Sequence, residues 1–346
     1  MSADTPAGPL PPEQPTPADP HAGAHRDPHP GPYADVVLAE VVRSGFVEGT
    51  HRGSLVELAA DGSVTRALGD VVSPMYPRSS NKPVQAAATL HAGLDLAGER
   101  LALAAASHSG ERFHLELVEK LLAEHGLTED DLRCPPDLPL DPAVAEAHLA
   151  AGRGRTRTAM NCSGKHTAML AACRVNGWPL DSYLDPGHPL QRLIARTLGA
   201  AAGEPVAHTG TDGCGAPVMA VSLTGLARTF RHFARAEADS PEGRVAAAMR
   251  AHPEYVAGTE RHDTWLMRAV PGTLSKMGAE AVQAVALPDG RALAFKVTDG
   301  GTRTLAPVLA HALTGMGVTG PVVDRLYGAS PLLGGGAQVG GVRAVF

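Results

Sequence analysis

Hydrophobic residues follow a strand-like pattern near both ends of the chain. The segments DVVLAEVVRSGFVEGTH (35–51) and RGSLVELAADGSVTRALG (52–69) predict β-strands, and ADGS (60–63) predicts the hairpin turn between two of them. A second such region begins near residue 276, where MGAEAVQAVALPDGRALAFKVTDGG predicts two strands around the turn PDG (288–290). We therefore expect early and late strands to form one antiparallel sheet.

A helical period dominates the region from about 80 to 270. ERFHLELVEKLLAEHGL predicts a helix that stops at Gly126, and SGKHTAMLAACRVNGW predicts another that stops at Gly177. Further predicted helices are PLQRLIARTLGAAAG, AVSLTGLARTFRHFARA and the late TRTLAPVLAHALTGMG. This order predicts an α+β fold, in which an antiparallel sheet is flanked by helices and carries a helical insert.

The first 32 residues differ from the rest of the chain. They are rich in Pro, Ala, Asp and His and have no apolar period, so residues 1–32 are predicted to be a disordered tail. Stray metal binding by the tail histidines is the alternative to a solvated tail: His21, His25 and His29. Residues 33–346 are predicted to be a single domain, with the sheet from about 35–72 and 276–346.

Composition narrows the classes of function. The chain has 346 residues, is 44% hydrophobic and carries a formal charge of −6 without a run of Lys or Arg. These features argue against a nucleic acid or an anionic membrane as partner. The sequence lacks an apolar stretch of 18 residues and a recognisable signal peptide, and its four cysteines lie far apart. The expected location is therefore cytoplasmic, with free thiols.

The stretch RSSNKPVQA (78–86) contains a candidate nucleophile and base. Ser79 and Lys82 are three residues apart and share one face if the segment is helical. A serine hydroxyl needs a base, and a lysine serves as one when burial or a nearby cation lowers its pKa. The alternative is an N-cap serine beside an exposed lysine. Because Pro83 fits best in a first turn, the helix is predicted to begin at Ser79 or Ser80, where its positive end would stabilise an oxyanion.

Two further polar motifs lie in the predicted helical region. ASHSGERFH (106–114) is either a reactive polar cluster around Ser107 or a helix cap. MNCSGKHTAM (160–169) repeats the three-residue spacing with Cys162 and Lys165, and Cys214 lies between glycines further on. A thiolate nucleophile, a zinc site and an ordinary helix start are all open readings of these residues. The other two cysteines, Cys134 and Cys173, are expected to be structural.

The order of the motifs adds information that no motif gives alone. Ser-x-x-Lys comes first, then the Ser-x-Ser cluster, and then Lys276-x-Gly278 at the start of a predicted strand. Serine β-lactamases and penicillin-binding proteins carry Ser-x-x-Lys, Ser-x-Asn and Lys-Thr-Gly in this order. Because Met277 replaces the hydroxyl residue of the third motif, the sequence is similar to them in architecture rather than in substrate.

A closer resemblance covers the chain from about Val36 to its C-terminus. The motifs, in order, are VEGTHRG, RSSNKPVQA, ASHSGE, MNCSGKHTAML, TDGCGAP and KMGAE. Together they resemble the asparaginase II family, the Rhizobium type of L-asparaginase. This resemblance implies a β-lactamase-like fold, hydrolysis of L-asparagine to aspartate and ammonia, and a homodimer. Gly49 departs from the family, which more often has serine there.

The same resemblance implies roles for individual residues. Ser79 would be the nucleophile with Lys82 as its base, and Ser107 with Lys276 would form a second pair. Zinc would be bound by the positions that match the family's ligands: Cys162, Lys165 and Cys214. Candidate contacts for the substrate L-asparagine are Glu48, His51, Arg78, His108 and Glu111.

Other functions stay open at the level of the sequence. A rival hydrolase would act on another amide, such as glutamine, or on a β-lactam or peptidoglycan-like peptide. A rival of a different class is a sensor that binds asparagine or is acylated by it without turnover. The doubled Ser/Lys apparatus favours turnover.

Overall fold

The computed structural model of the protein describes residues 35–346, so the predicted tail of residues 1–32 lies outside the described part. Within it there are eleven β-strands: β1 Val36–Arg43, β2 Phe46–Leu58, β3 Val64–Leu68, β4 Pro74–Met75, β5 His208–Thr211, β6 Pro217–Ser222, β7 Leu274–Gly278, β8 Val282–Ala286, β9 Ala292–Val297, β10 Pro331–Gly334 and β11 Ala337–Ala344.

The described part also contains twelve α-helices: α1 Lys82–His91, α2 Gly98–Ala104, α3 Arg112–Glu124, α4 Pro142–Ala150, α5 Ser163–Asn176, α6 Pro189–Ala202, α7 Leu223–Arg235, α8 Pro241–Ala251, α9 Pro253–Val256, α10 His262–Ala269, α11 Leu305–Gly315 and α12 Pro321–Tyr327. Within residues 35–346, none of these helices is both long and apolar enough to cross a membrane.

One antiparallel sheet forms the centre of the fold. Its strands lie in the order β10-β11-β1-β2-β9-β8-β7, and β3 pairs with the second half of the long strand β2. The early and late strands meet where β2 pairs with β9, from Gly53 opposite Val297 to Leu58 opposite Ala292. The predicted α+β class is confirmed, and β7, which carries Lys276, lies at one edge of the sheet.

The two faces of the sheet support two separate hydrophobic cores. On β9 the small residues Ala292 and Ala294 face the core that contains α1, α5 and α7, whereas Leu293 and Phe295 face the core under α11 and α12. This alternation follows from the two-residue period of a strand. The sheet therefore separates the helical insert from the C-terminal helices, which are layers of different composition.

Several elements differ from the sequence predictions. The region predicted as two strands around PDG contains three, because the chain turns between β7 and β8 at Glu280 (φ +61°) and Ala281 (φ +52°). Turns of this kind normally use Gly, Asn or Asp, so the sequence gives little sign of the turn. A C-terminal hairpin, β10–β11, also completes the sheet where no separate strand was predicted.

A second, small sheet in the order β4-β6-β5 takes its strands β5 and β6 from the predicted helical region. It takes the first residues of the segment predicted as the helix AVSLTGLARTFRHFARA. That helix in fact begins at Leu223, because the hydroxyl of Ser222 accepts a hydrogen bond from the Gly225 N–H (2.9 Å) and caps it. The hairpin between β5 and β6 carries Cys214, so this small sheet positions one of the predicted metal ligands.

Candidate active site

Ser79 lies in a tight turn that leads into α1. Residues Arg78–Asn81 form a short 3₁₀-helix, so α1 begins at Lys82 rather than at the predicted Ser79 or Ser80. Pro83 lies in the first turn of α1, as the sequence predicted. Arg78 adopts a φ of +51°, a left-handed conformation that a side chain other than glycine disfavours. The hydroxyl of Ser80 is buried and donates to the Pro77 carbonyl (2.6 Å), whereas Ser79 is partly exposed. Of the two serines, Ser80 therefore stabilises the turn and Ser79 is the accessible one.

Strand β7 lies directly against this turn. A Cβ atom added to Gly278 would lie 2.5 Å from the Pro77 carbonyl oxygen and 3.1 Å from the Ser80 nitrogen. Glycine is thus required at this position of the Lys-x-Gly motif, because any side chain would push the strand away. The close approach brings the strand that bears Lys276 beside the turn that bears Ser79.

Ser107 connects the two lysines of the predicted Ser/Lys pairs. Its hydroxyl oxygen accepts a hydrogen bond from Lys82 Nζ (2.9 Å) and another from Lys276 Nζ (3.0 Å). Lys82 also donates to the Ala106 carbonyl (2.6 Å). All three side chains are buried, and within residues 35–346 no hydrogen bond joins the Ser79 hydroxyl to Lys82. We call Ser79, Lys82, Ser107 and Lys276 the Ser/Lys cluster.

Burial has the largest effect on the pKa of both lysines of this cluster. It lowers the pKa of Lys276 to about 7, with the Asp263 carboxylate opposing and the Lys82 charge reinforcing the shift. It also lowers the pKa of Lys82, where Cys162 opposes and Lys165 reinforces. Since two ammonium groups on one hydroxyl repel each other, one of the lysines can hold a neutral amine near pH 7.

The predicted metal ligands form a second buried cluster. Cys162 precedes the first residue of α5, Lys165 lies in the first turn of that helix, and Lys165 Nζ lies 3.1 Å from Cys214 Sγ. We call these three residues the Cys/Lys cluster. It adjoins the Ser/Lys cluster, because Cys162 is near enough to act on the pKa of Lys82. The structure therefore brings both predicted sets of residues together.

Charge in the Cys/Lys cluster is distributed as an ion pair. Contact with Cys162 lowers the pKa of the Cys214 thiol, burial opposes this, and Lys165 adds to it. Burial would lower the pKa of Lys165, but Cys214 and Cys162 outweigh it and raise that pKa. Lys165 is thus a buried cation held by a thiolate.

The donor chemistry of this cluster fits zinc. Two thiols and one amine are soft or borderline ligands, although a metal would have to displace the proton that Lys165 holds. In the described part of the chain, no three His, Cys, Asp or Glu side chains are arranged to hold a metal, so the set reaches three donors only with Lys165. The neighbouring His166, which the sequence analysis did not single out, has its Nε2 buried without a hydrogen-bond partner among the described residues.

Arg78 is the predicted substrate contact that directly precedes Ser79 and whose side chain reaches the hairpin that carries Cys214. Its guanidinium forms an ion pair with Asp212 (2.8 Å), and Glu280 lies 3.8 Å away. Arg78 directly precedes Ser79, and Asp212 precedes Cys214 by two residues. The Arg78–Asp212 pair therefore connects the two turns that carry the candidate nucleophile and a candidate metal ligand.

Two other predicted contacts are buried and held by partners of their own. His51 lies between the carboxylate of Asp299 (2.6 Å from Nδ1) and the guanidinium of Arg303, which donates to Nε2 (2.9 Å). His108 pairs with the Ser163 hydroxyl (2.8 Å), and burial holds its pKa well below the usual range. Neither imidazole forms a hydrogen bond with the Ser/Lys cluster.

The two predicted acidic contacts are also engaged elsewhere. The carboxylate of Glu48 forms an ion pair with Arg43 (2.8 Å) near the exposed start of β2. Glu111 accepts hydrogen bonds from the backbone N–H and the hydroxyl of Thr259, both at 2.7 Å. The structure assigns Glu111 to tying two loops together.

The two remaining thiols, Cys134 and Cys173, belong to neither cluster. Burial raises the pKa of Cys134 and of Cys173 to about 11, as expected for structural thiols.

Asp263 was not singled out in the sequence, yet it has no exposed surface and lies beside Lys276. A compositional signal for the site also exists, because the chain has only five lysines and three of them meet here.

A Ser-x-x-Lys turn packed against a lysine-bearing edge strand of an antiparallel sheet defines a protein built like the serine β-lactamases. The model of the L-asparaginase II family matches residues 39–344, and the chain therefore belongs to this family. The resemblance drawn from the motifs is confirmed, and membership supports a hydrolase that acts on amides. No curated protein sequence matches the chain.

Similar solved structures include a β-lactamase from Mycobacterium bovis (16% identity, TM-score 0.43, covering 76% of this chain and 94% of that one). They also include a Bacillus glutaminase (12%, 0.36, 77% and 91%) and a β-lactamase from Burkholderia vietnamiensis (14%, 0.32, 72% and 85%). Because all three TM-scores are 0.43 or lower, these likenesses carry no argument about this chain.

Proposed function

We propose that the protein is an L-asparagine amidohydrolase that releases L-aspartate and ammonia. The observation that carries the proposal is the buried chain Lys82–Ser107–Lys276 beside the partly exposed Ser79, in a member of the L-asparaginase II family. Two lysines on one hydroxyl form a path for protons, and an accessible serine at the beginning of a helix can attack an amide.

In the first half of the reaction Ser79 Oγ attacks the side-chain amide carbon of asparagine. Lys82, whose pKa is lowered by burial, takes the serine proton as a neutral amine. The backbone N–H of Ser79 contributes to holding the oxyanion, and the N-terminal end of α1 favours the negative charge. Ser79 suits the role better than Ser107, which is 5% exposed and cannot easily reach a substrate.

In the second half the tetrahedral intermediate collapses and the C–N bond breaks. The leaving nitrogen takes a proton from Lys276 by way of Ser107 and departs as ammonia, which leaves a β-aspartyl ester on Ser79. Lys82 passes the proton that it took from Ser79 through Ser107 to Lys276 and becomes a neutral amine again. Water then attacks the ester, Lys82 accepts a proton from the water and delivers it to Ser79 Oγ as the ester bond breaks, and aspartate is released. Each proton that leaves a lysine is thus returned within one turnover.

The Arg78–Asp212 ion pair offers both charges that an amino acid requires. A substrate could exchange into this pair by presenting its α-carboxylate to Arg78 and its α-ammonium to Asp212. Glutamine has the same two charges and one more methylene, so it is the second substrate to test. Such a difference usually supports only about 10- to 200-fold discrimination.

Zinc is part of the proposal, with Cys162, Lys165 and Cys214 as ligands. A bound zinc would supply a Lewis acid that can hold the α-amino or α-carboxylate group of the substrate. We expect one zinc per chain in purified protein and its loss in Lys165→Met, measured by elemental analysis. A homodimer and a cytoplasmic location also stay predictions, and light scattering tests the first.

Ammonia release from L-asparagine and L-glutamine tests the function, with Ser79→Ala beside the matched control Ser80→Ala. We expect asparagine to be hydrolysed, Ser79→Ala to be inactive, and Ser80→Ala to keep most of its activity. A Ser79→Ala variant that keeps most of its activity would contradict the nucleophile. Stoichiometric acylation without turnover would favour the sensor, and hydrolysis of a chromogenic β-lactam would favour the β-lactam or peptide class.

A further inference from the structure

The carboxylate of Asp263 is an ionised group at a place where water does not reach. Asp263 lies in the first turn of α10 and has no exposed surface. Burial would raise its pKa, but the charges of His262 and Lys276 and hydrogen bonds from Ser275 and Gln283 outweigh burial and lower it to about 2. A buried charge is costly unless it is well paired, so its place in the fold needs a physical reason.

This carboxylate forms hydrogen bonds with β7 on both sides of Lys276. Oδ1 accepts from the hydroxyl of Ser275 (2.6 Å), and Oδ2 accepts from the backbone N–H of Met277 (3.0 Å). Because β7 is an edge strand, some of its backbone N–H groups have no neighbouring strand as partner. Asp263 therefore fixes the backbone on either side of the lysine, and so fixes the direction of its side chain.

A second layer of hydrogen bonds holds the carboxylate in turn. Gln283 Nε2 donates to Oδ1 of Asp263 (3.0 Å) and to Oγ of Ser275 (3.0 Å). The amide oxygen of Gln283 lies 2.9 Å from Nε2 of His262, whose pKa is lowered by burial. A network in which every partner is engaged has a single preferred arrangement.

The charge of Asp263 also matters for the state of Lys276. The charged and titratable groups that act on Lys276 or on the network beside it are Lys82, Cys162, Arg261, His262 and Asp263. Burial, Lys82 and Arg261 all oppose the protonated form of Lys276, and Asp263 is the strongest of the groups that favour it. Without this carboxylate, Lys276 would give up its proton at a lower pH and could not supply one near neutrality.

We propose that Asp263 is a positioning residue for Lys276, which locks the strand around the lysine and supplies the negative charge that lets it carry a proton. The inference rests on the proposed function for the role of Lys276 in turnover. The effect of Asp263 on the position and protonation of Lys276 is independent of that function. Asp263 itself does not touch the reacting atoms.

The direct test follows the titration of Lys276 by NMR in protein labelled with ¹³C at the lysine ε-carbon. With five lysines in the chain the spectrum is simple, and Lys276→Met assigns the signal. We expect a midpoint near pH 7 in the wild type and a midpoint lower by about one unit or more in Asp263→Asn. The control Asp95→Asn, which removes an exposed charge paired with Arg244, leaves the midpoint unchanged.

Kinetics provide the second readout. In Asp263→Asn the limb of the kcat/KM profile that reports Lys276 moves to lower pH, and kcat falls more than KM changes, because Asp263 does not bind substrate. Asp263→Glu keeps the charge, so it retains the position of that limb while kcat falls. A merely structural role would lower activity in both variants without moving the limb.

An unchanged Lys276 midpoint in a folded Asp263→Asn protein would overturn the proposal. If neither Asp263 variant folds, the wild-type titration decides, because a midpoint more than about one unit below 7 would mean that the carboxylate does not support the proton on Lys276. If the protein releases no ammonia from either amide, the proposed function fails while the NMR result still tests the link.

Discussion

Two turns of this protein place a lysine three residues after a candidate nucleophile, and the two lysines behave in opposite ways. Ser79-x-x-Lys82 leads into α1 and Cys162-x-x-Lys165 begins α5, and both lysines are buried. Yet the pKa of Lys82 is lowered, whereas the pKa of Lys165 is raised. Equal spacing and equal burial therefore do not give equal chemistry.

The partners of the two lysines explain the difference. Lys82 donates to a hydroxyl and a carbonyl, which are neutral acceptors and do not offset the loss of water around an ammonium. Lys165 lies against Cys214, whose thiol readily becomes an anion there. A lysine among neutral oxygens is prepared to act as a base, and a lysine against a thiolate is held as a cation until a metal displaces its proton.

The largest expected effect is the loss of the base in the Ser/Lys cluster. We expect Lys82→Met to lower kcat by about 10⁴-fold, because an unactivated serine is a poor nucleophile. The double variant with Ser79→Ala should lose little more, since the two residues act as a unit. Steady-state ammonia release measures both, and additive losses would separate Lys82 from Ser79.

We expect a substitution in the Cys/Lys cluster to lower the stability of the fold rather than to remove the proposed base. Cys214→Ser replaces the thiolate with a neutral hydroxyl and leaves Lys165 as an unpaired buried cation, so we expect a loss of about 3 kcal/mol in the free energy of unfolding. Urea unfolding of metal-free protein measures it, with Cys173→Ala, in the helix that carries Lys165, as the control without an ion pair. Equal losses in the two variants would contradict the ion pair.

The lowered pKa of Lys276 should make the free energy of unfolding depend on pH. Lys276 has a pKa of about 7 in the folded protein and about 10.4 when unfolded, so between these values the unfolded chain binds more protons. Its contribution therefore becomes more favourable by about 1.4 kcal/mol for each unit of rising pH in that window. The difference in unfolding free energy between wild type and Lys276→Met should show this slope, and a flat difference would contradict the lowered pKa.

The smallest expected effect concerns a predicted contact that lies in neither cluster. Glu48 is engaged with Arg43 at an exposed position, and such pairs contribute little. We expect Glu48→Gln to keep kcat/KM for asparagine within about two-fold of the wild type. A fall of 100-fold would restore Glu48 as a substrate contact.

The motifs in the sequence predicted most of the candidate site, but not the connections inside it. The order of Ser-x-x-Lys, the Ser107 cluster and Lys-x-Gly is visible in one dimension because each motif is local. That Ser107 accepts from both lysines is a contact between segments 25 and 169 residues apart. Asp263 escaped notice for a related reason, since a single aspartate in a helix carries no motif.

The fold shows the same division between local pattern and distant pairing. Apolar alternation and glycine stops predicted the α+β class, the β2–β3 hairpin and the long helices, because backbone preferences act over a few residues. The turn at Glu280 and Ala281 and the strands β5, β10 and β11 were missed. These three strands are short, polar or rich in glycine. Their residues form strands only because a neighbouring strand supplies hydrogen bonds.

The sequence by itself thus determined the fold class, the family and the residue types that can carry the chemistry. Only the tertiary structure decided which lysine has a lowered pKa and which has a raised one, and which serine is buried in the turn while the other stays partly exposed. The physical reason is that a pKa depends on burial and on the charge of nearby partners, and both are set by contacts between segments far apart in the chain.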